Sequence, residues 1–168
     1  MLNDIFEWKK VRIFLQYAVY LILTMFLQGV LFSRISIFGA KGMLMPAAVV
    51  GAGLYLGGVK GAVFGIFMGI FTDIGFSENT VLFTIIFPVL GFLSGFLAEF
   101  YINKNFFTYM VVATLATLLT AFAQMLVAIV GRGAEFFPCL LMVFLQTLVT
   151  LLPMTLLYLP FRKRKGNE

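Results

Sequence analysis

Residues 53–73 read G-L-Y-L-G-G-V-K-G-A-V-F-G-I-F-M-G-I-F-T-D, and this stretch decides the fold. Glycine stands at Gly53, Gly57, Gly61, Gly65 and Gly69, and the next step of four lands on Asp73. Glycine at every fourth position gives a helix a side-chain-free groove, against which a second helix packs closely. A step of four drifts by about 40° around a helix, so the groove winds, which suits a right-handed crossing. The acid at its end is the one carboxylate placed inside a hydrophobic segment. Charge in hydrocarbon is costly, so Asp73 is a candidate functional residue.

Outward from this stretch the apolar character continues over nearly the whole length. The chain has 168 residues, 62% hydrophobic and 11% charged, against about 25% charged in a soluble domain. Mean hydropathy is +1.06. The expectation is a single polytopic membrane domain over 1–168, with no separate soluble domain. One cysteine, Cys139, excludes an internal disulfide, and histidine is absent. That absence removes the commonest general base and the commonest transition-metal ligand. The net charge of +5 sits at ends and loops and reports topology, not nucleic-acid binding.

Six hydrophobic segments are expected, two of them short. Residues 1–12 form an amphipathic lead-in with Trp8 near the headgroups. Residues 13–32 are uncharged and long enough to span; they are too long for a cleaved signal and are expected to be retained. Residues 33–42 form a loop. Residues 43–57, with Pro46 in a first turn, and residues 59–75 are short segments. Gly57-Gly58 is a turn signal and Lys60 marks a loop between them. One broken helix or a re-entrant pair is the alternative. Residues 81–101 carry Pro88, which predicts a kink, and repeat the spacing as Gly91, Gly95, Glu99. Residues 107–130 and 136–160, the latter with Pro153, complete the set before the basic tail at 161–168.

Six spans put both termini on one side. Lys9, Lys10, Arg12, Lys60, Lys104 and the tail cluster lie there, with Arg34, Lys41 and Arg132 opposite. The excess places both ends in the cytoplasm. Tyr55, Tyr101, Tyr109 and Tyr158 then fall at cytoplasmic ends, as an aromatic belt. Gln28, Asp73, Gln124 and Gln146 all fall in the outer half. An outer polar cluster around Asp73 is the expectation, with Arg132 as its cation; otherwise each Gln satisfies itself. Glu99 reads as interfacial beside Lys104. The strip of Gly61, Gly65, Gly69, Gly91 and Gly95 serves packing within the chain or contact with a partner. No nucleophile–base pair, paired carboxylates, metal-ligand spacing or phosphate loop is present. No enzyme, cofactor or metal is expected.

The run Gly61-x-x-x-Gly65-x-x-x-Gly69-x-x-x-Asp73-Ile74-Gly75, followed by a span ending Leu90-Gly91-Phe92-Leu93-Ser94-Gly95-Phe96-Leu97, resembles the rod shape-determining protein MreD family. Length, span count, Pro46 and the basic tail agree with it. Glu78-Asn79-Thr80 stand where the family often has a further glycine. The resemblance implies a non-enzymatic adaptor of the bacterial elongation machinery in the inner membrane. Its implied partners are MreC, the actin-like MreB filament, and the wall-building polymerase and transpeptidase. The family is also similar in fold to the substrate-binding subunits of energy-coupling-factor vitamin transporters. A nutrient-binding subunit is therefore the alternative, although the first segment has only Ala18 where those subunits carry Ala-x-x-x-Ala.

Overall fold

The computed structural model describes residues 19–30, 36–37, 40–76, 81–100 and 105–162. The lead-in at 1–12, the start of the first segment, the turn at 77–80, Tyr101, Lys104 and the tail beyond Arg162 lie outside them. The architecture is helical. In chain order it runs α1 (Val19–Val30), β1 (Ser36–Ile37), β2 (Ala40–Lys41), α2 (Met45–Leu56), α3 (Gly58–Phe76), α4 (Leu82–Phe100), α5 (Phe106–Arg132) and α6 (Phe136–Arg162). The two strands form a small antiparallel pair, Ser36 opposite Lys41 and Ile37 opposite Ala40, within a segment expected to be plain loop. Of the described helices, α3, α4 and α5 are long and apolar enough to cross a membrane. This is the build of a helical membrane protein.

The centre of the bundle is α2. Every residue from Met45 to Leu54 is buried, and its apolar character shows no preferred face. A helix that is hydrophobic all round belongs inside. It packs against α3, α4, α5 and α6, and Tyr20, Phe64, Met68, Phe87, Tyr109 and Met154 close over it. With 12 residues it is about 18 Å long, short of a hydrocarbon core of about 30 Å. Of the two short segments expected over 43–75, the first forms this enclosed helix and the second forms α3, which is long and apolar enough to cross a membrane.

The reversal between them takes a single residue. Gly57 has φ +95°, a conformation that glycine adopts at no steric cost. Its N–H donates to Gly53 O at 3.0 Å, and Gly61 N–H donates to Gly57 O at 2.9 Å. The chain folds back so tightly that a Cβ on Gly61 would stand 2.5 Å from Gly53 Cα. Lys60 is thus in the first turn of α3, not in a loop, because Gly57 alone makes the turn.

α3 and α4 then lie against one another through bare backbone. A Cβ on Gly65 would meet Phe87 O at 2.5 Å, and one on Gly69 would meet Phe83 O and Thr84 Cα at 2.6 Å. A Cβ on Gly91 would run into the Gly61 carbonyl, and one on Gly95 into Gly58. Each step of four along α3 is met by a step of four along α4. At Gly53, Gly61 and Gly91 three helices converge on one point, with the small Ser94 hydroxyl as the side-chain group against Gly53. Gly65 nests against Pro88, which lies inside an unbroken α4. The opposite face of α3, with Val63, Phe67, Ile70 and Ile74, is exposed, as a lipid-facing side would be.

Tyr109 is not a belt residue. It is fully buried, and its hydroxyl lies 3.4 Å from both Ala47 O and Met154 O, tying α5 to α2 and α6. Tyr158 packs against Tyr55, Phe106 and Tyr109 at ring separations of 6.1, 4.9 and 5.6 Å. Helix α6 continues through Pro153 to Arg162.

Candidate functional site

The sequence-predicted polar residues divide into three places rather than one. Asp73 is the first. Its carboxylate accepts the backbone N–H of Phe83 at 3.1 Å and of Thr84 at 2.8 Å, and the Thr84 hydroxyl at 2.6 Å. These amides belong to the opening turn of α4, which has no partner for them within its own ladder. Asp73 therefore caps α4 from the neighbouring helix, with its negative charge at the positive end of the helix dipole. It is the next member of the glycine strip, so the register that brings Gly69 onto Phe83 also delivers the cap. The expected cluster around Asp73 is corrected by this geometry: its bonds go to α4, not to a glutamine or to Arg132.

The second place is the start of α2. Gln28 on α1 is buried; its amide nitrogen donates to Gly42 O at 3.0 Å and its amide oxygen accepts Leu44 N–H at 2.7 Å. Met43 N–H donates to the Thr150 hydroxyl of α6 at 3.1 Å, and that hydroxyl donates to Gln146 O at 2.6 Å. Gln124 Nε2 on α5 reaches Met43 Sδ at 3.2 Å. Helices α1 and α6 thus supply the polar partners that a helix beginning inside an apolar bundle needs. Thr150 and Thr84 are the residues that sequence reading missed. Thr24, Thr72, Thr114, Thr120, Thr147 and Thr150 all donate to the carbonyl four residues back.

The third place is a cleft of about 500 Å³ between α5, α6 and the beginning of α4. Gln124, Ala128 and Arg132 line it from α5, and Cys139, Met142 and Gln146 from α6, with Leu82 and Phe83 of α4 at one side. Its size falls in the range of small-molecule sites. Helices α5 and α6 each have 27 residues against 19 in α3 and α4, so each is about 12 Å longer. At the end where they join, no residue from Leu126 to Met142 is buried. Gly133, with φ +63°, closes α5 by donating to Ile129 O at 3.1 Å. Val130 and Phe137 at this end are 85% and 78% exposed.

The glycine strip is a structural interface within the chain. Gly61, Gly65 and Gly69 face α4, and Gly91 and Gly95 face α3 and the Gly57 turn, so none of the five presents an open face to a partner. Glu99 is exposed, close beside that turn. Comparison of the chain with family models, with characterised proteins and with solved structures returns no match.

Proposed function

We propose that this protein is a non-enzymatic membrane adaptor of the kind the MreD family represents, working in the bacterial elongation complex that builds lateral wall. The observation that carries this reading is the apolar end of the α5–α6 hairpin. It leaves Val130, Phe136 and Phe137 exposed. With the glycine strip occupied by the chain's own α4, this end is the candidate contact surface for the transmembrane helix of a partner. MreC is the proposed direct partner. MreB and the wall-synthesis enzymes are reached through it or beside it. Six passes in the cytoplasmic membrane, with both termini in the cytoplasm, complete the proposal. The tight reversal at Gly57, which runs α2 antiparallel to α3, supports an even number of passes. The six-helix arrangement is also the basis for proposing a fold akin to the vitamin-transporter subunits.

Co-purification in mild detergent tests the reading. The tagged chain should carry MreC with it. The double substitution Val130→Asp with Phe137→Asp should remove at least nine-tenths of that MreC while leaving the chain inserted. Undiminished MreC recovery from this variant would overturn the assignment of the surface, and no MreC from the unsubstituted chain would overturn the adaptor reading.

A further inference from the structure

We propose that this protein presents two unequal hydrophobic heights to the bilayer: a tall face on α5 and α6 that takes long-chain lipids, and a short face on α3 and α4 that takes shorter chains. The boundaries come from the charges. Helix α5 carries no charged residue from Phe106 to Gly131, and α6 carries none from Phe136 to Phe161. Each of these runs has 26 residues and is about 38 Å long. Helix α4 is uncharged only from Leu82 to Ala98, about 24 Å, before Glu99. On α3 the exposed apolar face runs from Val59 to Ile74, about 23 Å, with exposed Lys60 at its start. A hydrocarbon core of about 30 Å lies between the two sets of lengths.

Tilt does not remove the difference. Tilting a helix only lowers its reach along the membrane normal, so a run shorter than the core stays short at any angle. The bilayer must thin beside α3 and α4, or their charged ends must enter hydrocarbon. A run of about 38 Å fits a core of about 30 Å only when tilted by about 38°, close to the ceiling of about 40° seen for transmembrane helices. At any smaller tilt the tall face stands in a thicker layer. Both faces carry the side chains to meet acyl chains. Phe107, Leu115, Leu119 and Leu126 are exposed along α5, and Phe67 and Ile74 along α3. Helix α2 packs against all four of these helices and ties the two faces into one bundle, so the lipid takes up the mismatch. The inference rests on helix lengths and needs no partner, so its failure is separate from that of the adaptor reading.

Lipid preference at each face tests it. Trp8, the single tryptophan of the chain, is removed as Trp8→Phe. One reporter is then placed at an exposed position on each face, Leu119→Trp on α5 or Phe67→Trp on α3. The full chain is reconstituted in phosphatidylcholine bilayers in which a brominated lipid competes with myristoleoyl, oleoyl or erucoyl chains. Quenching of tryptophan fluorescence gives the preference at each site. Leu119→Trp should select erucoyl over myristoleoyl chains about twofold or more, and Phe67→Trp should show the opposite order. Adding Leu126→Asp cuts the uncharged run of α5 to about 29 Å and should bring the Leu119→Trp site to near parity. The same chain-length order at both faces, which is the result of tilt alone, or a preference unchanged by Leu126→Asp, overturns the proposal.

Discussion

Asp73 Oδ2 accepts the backbone N–H of Thr84 at 2.8 Å, and through that bond one helix supplies the cap that its neighbour's own sequence lacks. Val81 precedes α4 and offers no side-chain acceptor. The neighbouring carboxylate removes two orphan amides from an apolar setting where water is scarce.

Asp73→Ala is expected to lower stability by about 2 kcal/mol, the scale of a charge-assisted cap. Asp73→Asn keeps one acceptor oxygen and should lose about half as much. Thermal unfolding in detergent measures both, and amide exchange at Phe83 and Thr84 should accelerate in the alanine variant first.

Gly65→Leu and Gly69→Leu should prevent α3 from docking on α4, because the added side chain meets backbone rather than a movable side chain. The expected result is loss of the folded monomer, seen as aggregation on size exclusion, before any effect on partners. Gly29→Ala and Gly75→Ala are the controls. Among the described residues, nothing stands within 4 Å of a Cβ at either position. In helices these changes should be neutral or stabilising by up to about 1 kcal/mol. Correct folding of Gly65→Leu would refute the close interface.

Gly57→Ala is expected to destabilise by about 1–2 kcal/mol, since φ +95° is costly for any residue with a Cβ. The new methyl would also stand 2.9 Å from Glu99 Oε1, so Glu99→Ala should relieve a small part of the loss. Comparing the melting temperatures of the single and double variants separates backbone strain from crowding.

Gln28→Leu should cost about 2–3 kcal/mol, because Leu44 N–H and Gly42 O would be left in the core without their partner. Gln146→Leu, whose side chain bonds to no described residue, should cost less than 1 kcal/mol. Parallel denaturation series distinguish the two glutamines.

Much of this arrangement was legible in the residues. The spacing from Gly61 to Gly69 announced a close helix crossing, and Gly57-Gly58 announced a turn. What lies against the strip was not legible. Glycine spacing says that a face is bare, and the matching strip at Gly91 and Gly95 serves equally for a neighbour in the same chain or another. The outer polar residues divide for a related reason: Gln124, Gln146 and Arg132 line one cleft, while Gln28 and Asp73 bond elsewhere. Gln28, Asp73, Gln124 and Gln146 were aligned by depth, which is one coordinate; rotation about each helix axis decides contact, and packing sets that rotation. The buried status of α2 was hinted at by its lack of any polar face, yet its length alone left spanning and re-entrant readings open. Tyr109 looked like a belt residue from its position, and only the tertiary placement of α2 and α6 turned it inward.

The enclosure of α2 has a consequence for how the molecule is made. Apart from Tyr20 of α1, its faces are covered by segments that leave the ribosome after it, and Met43 waits for a hydroxyl more than a hundred positions downstream. During synthesis this short segment cannot settle at once. It must be held, with Gln28 beside it, until α6 has been delivered. Shortening the chain before Thr150 would strip this helix of its cover and so strand the centre of the protein, not merely trim its edge.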